Sequence, residues 1–250
     1  MRPWTDVRAV LFDFDGTLVD TRIDFARMRQ EVRALLPQFG VQLDPRPRYI
    51  LELIEAAEAL LRQQDRQWAR AFRQAAEEIV LTLELEGAQR AQVIPGIPDL
   101  LRRLRAAGIQ IAVLTRNCRV AVELALTRCP LLYDVLLTRD DVSLIKPHPA
   151  HAQHALTSLG VPQAQSVLVG DHVGDMECAQ KLGLRGVGVL TGSSSHEELM
   201  AAGAEVVLPS AAELASLLGL ENADLKGSLA KWMSGGDFAG RPGIADQSGL

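Results

Sequence analysis

Between Val93 and Gly219 the sequence alternates short apolar runs with amphipathic stretches, a rhythm that narrows the possible folds more than any other feature. IQIAVLT, YDVLLT, SVLVGD and GVGVLT read as strands, while DLLRRLRAAG, CRVAVELALTR, HPAHAQHALTSLG and GDMECAQKLG read as the helices before and between them. Strand, helix and strand in that order imply parallel strands joined by helical crossovers. The expected fold class is therefore α/β, with a mainly parallel sheet covered by helices on both faces. VRAVLFDFD, near the start of the chain, reads as a further buried strand that stops at acids and Gly16. A last helix, strand and helix (SHEELMAAGA, EVVLP, SAAELASLL) closes the series, and no internal repeat is visible.

From Asp24 to about Gly87 the texture changes. FARMRQEVRALL, YILELIEAAEALLRQ and WARAFRQAAEEIVLTLEL carry apolar residues at helical spacing, broken only around PQFGVQLDPRP. The stripe Leu53, Ile54, Ala57, Leu60 and Leu61 is expected to form this segment's own core. The expected organisation is an α/β core from residues 1–21 and 93–219, a small all-helical cap from 22–92, and a tail from 220–250. The tail is rich in Gly and Ser and is expected to be mobile, and whether Trp232 and Met233 dock it is open.

A formal net charge of −5 argues against a general nucleic-acid or anionic-membrane surface. No apolar run approaches the roughly 18 residues of a membrane span, and MRPWTDVRAV lacks a signal peptide's apolar core, so the expected compartment is the cytoplasm. Cys118, Cys129 and Cys178 are odd in number and widely spaced, which points to packing residues rather than a disulfide framework or zinc site.

In a parallel sheet, ligands bind beyond the carboxyl ends of the strands. Polar residues stand at four such ends: Asp13 and Asp15 after the first strand, Thr115 after IQIAVL, Lys146 in the loop after YDVLLT, and Asp171 with Asp175 after SVLVG. A lone DxD is commonly just the polar end of a strand. Here further acids converge on it, and a close like-charge pair costs about 4 kcal/mol at an effective dielectric of about 20, so the cluster calls for a cation. All-oxygen donors favour a hard ion, Mg²⁺ above all where a phosphate shares it.

DFDGT at Asp13–Thr17, a strand ending in Thr115, Lys146 ahead of Pro147, and GDxxxD at Gly170–Asp175 resemble, in order and placement, the four motifs of the haloacid-dehalogenase-like hydrolase superfamily. The combination is similar to its phosphoglycolate-phosphatase-like branch, and the helical insert is similar to that family's small cap. The resemblance implies that Asp13 is the nucleophile, forming an aspartyl-phosphate, and that Asp15 is the general acid and base. It implies that Thr115 binds a phosphoryl oxygen and that Lys146 neutralises the nucleophile and the phosphoryl charge. It also implies Mg²⁺ held by Asp13, Asp171 and the backbone carbonyl of Asp15, with Asp175 either joining the metal site or holding Lys146. Gly16 permits a sharp turn beside the substrate, and Thr17 is expected to fix that loop through a hydroxyl-to-backbone bond.

Several residues keep two readings. Thr115 could also cap the following helix, and Arg116 and Asn117 are either substrate contacts or helix-start residues. His172, where the family often has Ser or Thr, is a site-edge residue or a solvent-facing one. His148, His151 and His154 are expected at the surface or as caps. Arg22, Arg27, Arg29, Arg46 and Arg48 are candidate contacts for a substrate's second anionic group, each with solvated surface as the plainer role.

The implied function is a Mg²⁺-dependent phosphatase for a small phosphorylated metabolite, phosphoglycolate first, working as monomer or homodimer. A nucleotidase, a pyrophosphatase or a sugar phosphomutase would carry the same motifs. A dehalogenase is disfavoured, because breaking a carbon–halogen bond leaves no oxygen for Asp15 to protonate. A phosphate-sensing module without turnover has no use for an intact nucleophile.

Overall fold

The computed structural model describes residues 4–43 and 49–220. In chain order its elements are β1 (Ala9–Phe12), β2 (Val19–Asp20), α1 (Phe25–Gln38), α2 (Ile50–Gln64), α3 (Arg66–Ala88), β3 (Gln92–Val93), α4 (Ile97–Ala106), β4 (Gln110–Leu114), α5 (Arg119–Arg128), β5 (Val135–Leu137), α6 (Pro149–Leu159), β6 (Ser166–Gly170), α7 (Val173–Leu182), β7 (Arg185–Val189), α8 (His196–Ala201), β8 (Val206–Leu208) and α9 (Leu214–Leu217). The chain divides into two compact units, Met1–Asp20 with Ala91–Leu250, and Thr21–Arg90.

The first unit is built on a six-stranded sheet of order β5-β4-β1-β6-β7-β8, parallel throughout. Its α/β class is the one the strand–helix rhythm predicts. β1 lies inside the sheet, with Leu11 in register with Ala112 on β4 and with Leu168 on β6. All four residues of β1 are buried because both faces are covered. Ala9 and Leu11 join Ala112, Leu114 and Leu168 in a cluster with Ala152, Ala155 and Leu156 of α6 and Cys178 and Ala179 of α7. Val10 and Phe12 point to the opposite face by the two-residue period of a strand. Burying each large side chain contributes roughly 1.5–3 kcal/mol, which offsets the ordering cost of the apolar runs. The carboxyl ends of β5, β4, β1 and β6 thus stand side by side on one edge.

Two details differ from the sequence expectation. Val19 and Asp20 form a two-residue arm paired antiparallel with Gln92 and Val93, so the chain leaves for and returns from the second unit along one short two-stranded ladder. The last predicted helix is split into a 3₁₀ turn, Ala211–Glu213, and the short α9.

The second unit comprises α1, α2 and α3. Asp24 caps α1 by accepting the Arg27 N–H at 2.8 Å, and Asp65 separates α2 from α3 by accepting the N–H groups of Gln67 and Trp68. Its core contains Met28, Val32, Leu53, Ile54, Ala57, Leu61, Phe72, Val80 and Leu83. Leu60, expected in this stripe, is 38% exposed. At helical spacing it falls past the edge of the buried face. α1 runs through Pro37 in its last turn. The tail, with Trp232 and Met233, and the loop with Arg46 and Arg48 lie outside the described residues. Among the described residues, no helix is long and apolar enough to cross a membrane.

Candidate active site

Asp13 continues β1: its N–H donates to the Val169 carbonyl at 2.8 Å, so its side chain leaves the sheet at the carboxyl edge while staying only 8% exposed. The chain then folds back sharply. Leu18 and Val19 donate to the Phe14 carbonyl and Gly16 donates to the Val19 carbonyl at 2.8 Å. This turn holds Gly16 at φ +83°, in the left-handed region that favours glycine. A Cβ at Gly16 would lie 3.0 Å from the carboxylate of Asp171, so the small residue also lets two motifs approach. Thr191, just after β7, fastens the turn by donating its hydroxyl to the Gly16 carbonyl at 2.6 Å.

Lys146 is 2% exposed. Its Nζ lies 2.6 Å from Asp13 Oδ1, 2.7 Å from Asp175 Oδ1 and 2.7 Å from the Leu114 carbonyl at the end of β4. Burial works to strip the ammonium of its proton, but Asp13 and Asp175 outweigh it, and its pKa stands above the ordinary lysine range. Burial also acts on Asp13, pushing it well up against the pull of Lys146, with Asp175, Asp171 and Asp15 adding to the rise. Asp175 does hold Lys146, one of the two roles left open for it. It also accepts the His172 N–H at 3.2 Å in the capping box of α7.

Asp171 is held by the loop after β7. Its Oδ2 accepts the Ser193 N–H at 2.9 Å and the Ser193 hydroxyl at 3.4 Å, and its Oδ1 accepts the Thr17 hydroxyl at 3.3 Å. The Thr17 hydroxyl, expected on a backbone group, therefore reaches the carboxylate instead, because the turn at Gly16 brings it under β6. Burial first and the Asp175 charge second push Asp171 up to about 6. A Cβ at Gly192 would lie 1.8 Å from Asp171 Oδ2, an overlap that neither backbone nor carboxylate can absorb in place. Gly192→Ala is expected to weaken divalent-ion binding by about tenfold or more. Calorimetric titration of the variant with Mg²⁺ checks this, and an unaltered affinity would contradict the role given to the loop.

Asp15 is held by the segment after β4. Thr115 donates its hydroxyl to Asp15 Oδ2 at 3.0 Å and Asn117 donates its amide to Oδ1 at 3.1 Å. Thr115 is not a helix cap: Cys118 is the N-cap of α5, and the Thr115 hydroxyl accepts the Asn117 N–H at 3.0 Å in the turn before it. Asn117 is 4% exposed and its Oδ1 accepts the Cys118 N–H. Arg116 is partly exposed at this edge, with its carbonyl accepting from Arg139 at 3.1 Å.

The histidines divide. His148 and His172 cap α6 and α7, accepting from Ala150 and Gly174 respectively. His154 is exposed, whereas His151 is fully buried, contrary to the surface or capping role expected of it. Ser193, Thr191 and His151 were not singled out in advance for the site. The glycine and serines directly after a buried strand at this edge were the available signal for the first two. In the second unit, Arg27 pairs with Glu31 at 2.7 Å and Glu86 at 3.2 Å, while Arg22 and Arg29 are exposed.

The donor set suits a hard cation. Asp13, Asp171 and Asp175 each bring a carboxylate oxygen within 4.8 Å of the others, all buried. Three buried carboxylates share one ammonium; burial first, and the neighbouring acids after it, raise Asp13 and Asp171, so a further cation would be favoured there. Oxygen donors alone fit Mg²⁺ better than a soft metal.

Comparison with known proteins agrees with this arrangement. Residues 10–189 match the family model described as haloacid dehalogenase-like hydrolase. The chain is 30% identical to protein CbbY of Cereibacter sphaeroides, over 86% of this chain and 97% of that protein. It is 29% identical to a phosphoglycolate phosphatase of Yersinia pseudotuberculosis, over 86% and 94% respectively. The crystal structure of CbbY from Rhodobacter sphaeroides in complex with phosphate superposes with a TM-score of 0.59 at 30% identity, covering 85% of this chain and 99% of that one. With a family model spanning most of its length and relatives aligned almost end to end, the chain belongs to the haloacid dehalogenase-like hydrolase family.

Proposed function

We propose that the protein is a Mg²⁺-dependent phosphatase acting on a small phosphorylated metabolite, with phosphoglycolate the first candidate. The observation that carries this reading is the buried Lys146 ammonium set between Asp13 and Asp175, beside a third carboxylate. A cation pinned to a nucleophile in the interior serves an anion that arrives there, and it has no comparable use in a packing core. The relatives named for phosphoglycolate hydrolysis support the substrate class.

In this reading a carboxylate oxygen of Asp13 attacks phosphorus in line, and the bond from phosphorus to the leaving oxygen breaks as the new one forms. Asp15 gives its proton to the leaving oxygen, so the alcohol departs neutral. Water then attacks the aspartyl-phosphate, and Asp15 takes its proton back from that water, releasing phosphate and restoring both acids. Lys146 balances the charge on the phosphoryl oxygens and on Asp13 throughout. Thr115 and Asn117 orient the carboxyl of Asp15; Asp13, Asp171 and the Asp15 carbonyl would hold Mg²⁺, with Asp175 beside them holding Lys146. The ion, when bound, supplies Lewis-acid stabilisation of the phosphoryl charge. Gly16 keeps the turn compact beside the substrate, with Arg116 and Asn117 at its border.

The test is phosphate release from phosphoglycolate, nucleotides, sugar phosphates and pyrophosphate. With Mg²⁺, one class is expected to be turned over well above the others. A chelator should abolish that turnover and added Mg²⁺ restore it. Turnover indifferent to chelation would remove the metal from the reading, and release from none of the substrates would remove the phosphatase.

A further inference from the structure

His151 takes no part in the chemistry proposed above, yet its ring is completely buried in the first turns of α6. Its Nδ1 accepts the backbone N–H of Lys146 at 3.3 Å, and its Nε2 lies 3.3 Å from the Leu137 carbonyl, the last residue of β5. With Nδ1 as acceptor, the proton of a neutral ring is on Nε2, which donates to Leu137. The same carbonyl accepts the Thr115 N–H at 2.9 Å. One imidazole therefore links the backbone of Thr115, at the end of β4, to that of Lys146. A charged ring cannot do this, because it would set an N–H against the Lys146 N–H. Burial first, and the Lys146 charge second, push the imidazole down to about 3, so it stays neutral across the working range.

The connection bears on catalysis because Lys146 stands in the irregular segment between β5 and α6, at the end of a four-carbon stem. Its ammonium can meet Asp13, Asp175 and Leu114 together only if the backbone below it is fixed. An aliphatic residue at position 151 would fill the volume but leave the Lys146 N–H without this acceptor. We propose that His151 is a positioning residue for phosphoryl transfer: its neutral Nε2–H form clamps the Lys146 backbone to Leu137 and so aims the ammonium at Asp13.

This inference rests on the phosphatase reading for its effect on rate, and its geometry is testable without turnover. Three variants separate the two ends of the clamp. His151→Asn puts an amide oxygen where Nδ1 stood, His151→Gln puts an amide nitrogen where Nε2 stood, and His151→Leu supplies neither. His151→Leu and His151→Gln are expected to lower kcat roughly 10- to 100-fold, as misplacement of a catalytic group does. His151→Asn is expected to recover most of that loss even though its Tm falls about as far as that of the leucine variant. If kcat simply follows Tm across the three, or none of them loses rate, the positioning role is wrong. Binding of inorganic phosphate with Mg²⁺, measured by calorimetry, should weaken by about tenfold in His151→Leu and return in His151→Asn. Nitrogen-15 NMR of the wild-type ring should show a protonated Nε2 and a bare Nδ1. The opposite tautomer would overturn the clamp. If the wild type released no phosphate from any substrate, the phosphatase reading would fall while the tautomer and phosphate-binding results still judged His151.

Discussion

Asp13→Asn is expected to lower kcat for phosphate release by about four orders of magnitude or more, the scale on which loss of a covalent nucleophile is felt. A carboxamide has the shape of a carboxylate but offers neither a nucleophilic oxyanion nor a negative charge. The Asp13 N–H bond to Val169 is a backbone contact and survives the exchange. Lys146 keeps Asp175 at 2.7 Å, so the ammonium is not orphaned. One fewer carboxylate also relieves a cluster in which burial and neighbouring acids push Asp13 up. Catalysis and stability should therefore separate: rate lost, Tm unchanged or slightly higher. A phosphate-release assay beside a thermal melt reads both, and activity within tenfold of wild type would take Asp13 out of the nucleophile's role.

Lys146→Met removes the opposite charge and should affect both quantities. The methionine fills most of the volume of the lysine stem, so packing changes little. What remains is Asp13, Asp171 and Asp175 buried together without their ammonium. Removing one partner of a buried ion pair costs roughly 3–5 kcal/mol, because the remaining charge is left uncompensated. That penalty should appear in metal-free buffer at neutral pH and shrink when Mg²⁺ is added. It should also shrink as pH falls, since carboxyls raised above their ordinary range take up protons and need no counter-charge. In the presence of Mg²⁺ the expected fall in kcat is about 10²- to 10³-fold, the loss seen when one electrostatic stabiliser is deleted. Denaturant melts at two pH values, with and without Mg²⁺, decide the matter. A variant as stable and as active as wild type would mean that the Lys146 pairs contribute nothing to the site.

Much of this was legible before any coordinates. The run AVLF is uniformly apolar because both faces of β1 are covered, and that pattern alone distinguishes an interior strand. Asp13, Thr115 and Asp171 were legible as strand-end residues because each follows an apolar run, whereas Lys146 stands well past the end of β5 and was legible only through the motif resemblance. His151 was not: its sequence neighbours resemble those of any helix start, and nothing local announces that a backbone N–H five residues earlier needs an acceptor. The helix-cap role suggested for Thr115 failed for a related reason. A hydroxyl before a helix is a good cap by local rules, but the helix begins only after Cys118, so the Thr115 hydroxyl accepts the Asn117 N–H in the turn before it and gives its proton to a carboxylate one hundred residues away. Leu60 failed in the opposite sense, since a helical stripe specifies a face and not where its edge lies.

Periodicity and turn chemistry are properties of neighbouring residues, so the amino-acid sequence by itself determined the α/β class, the helical second unit and the residue types at the strand ends. Pairings across the sheet are not. Lys146 meets Asp13 over a separation of 133 positions, and Thr17 meets Asp171 over 154. Those contacts, the tautomer of His151 and the upward shifts of Asp13 and Asp171 were decided only by the tertiary structure, because they depend on which groups the packed chain withdraws from water together.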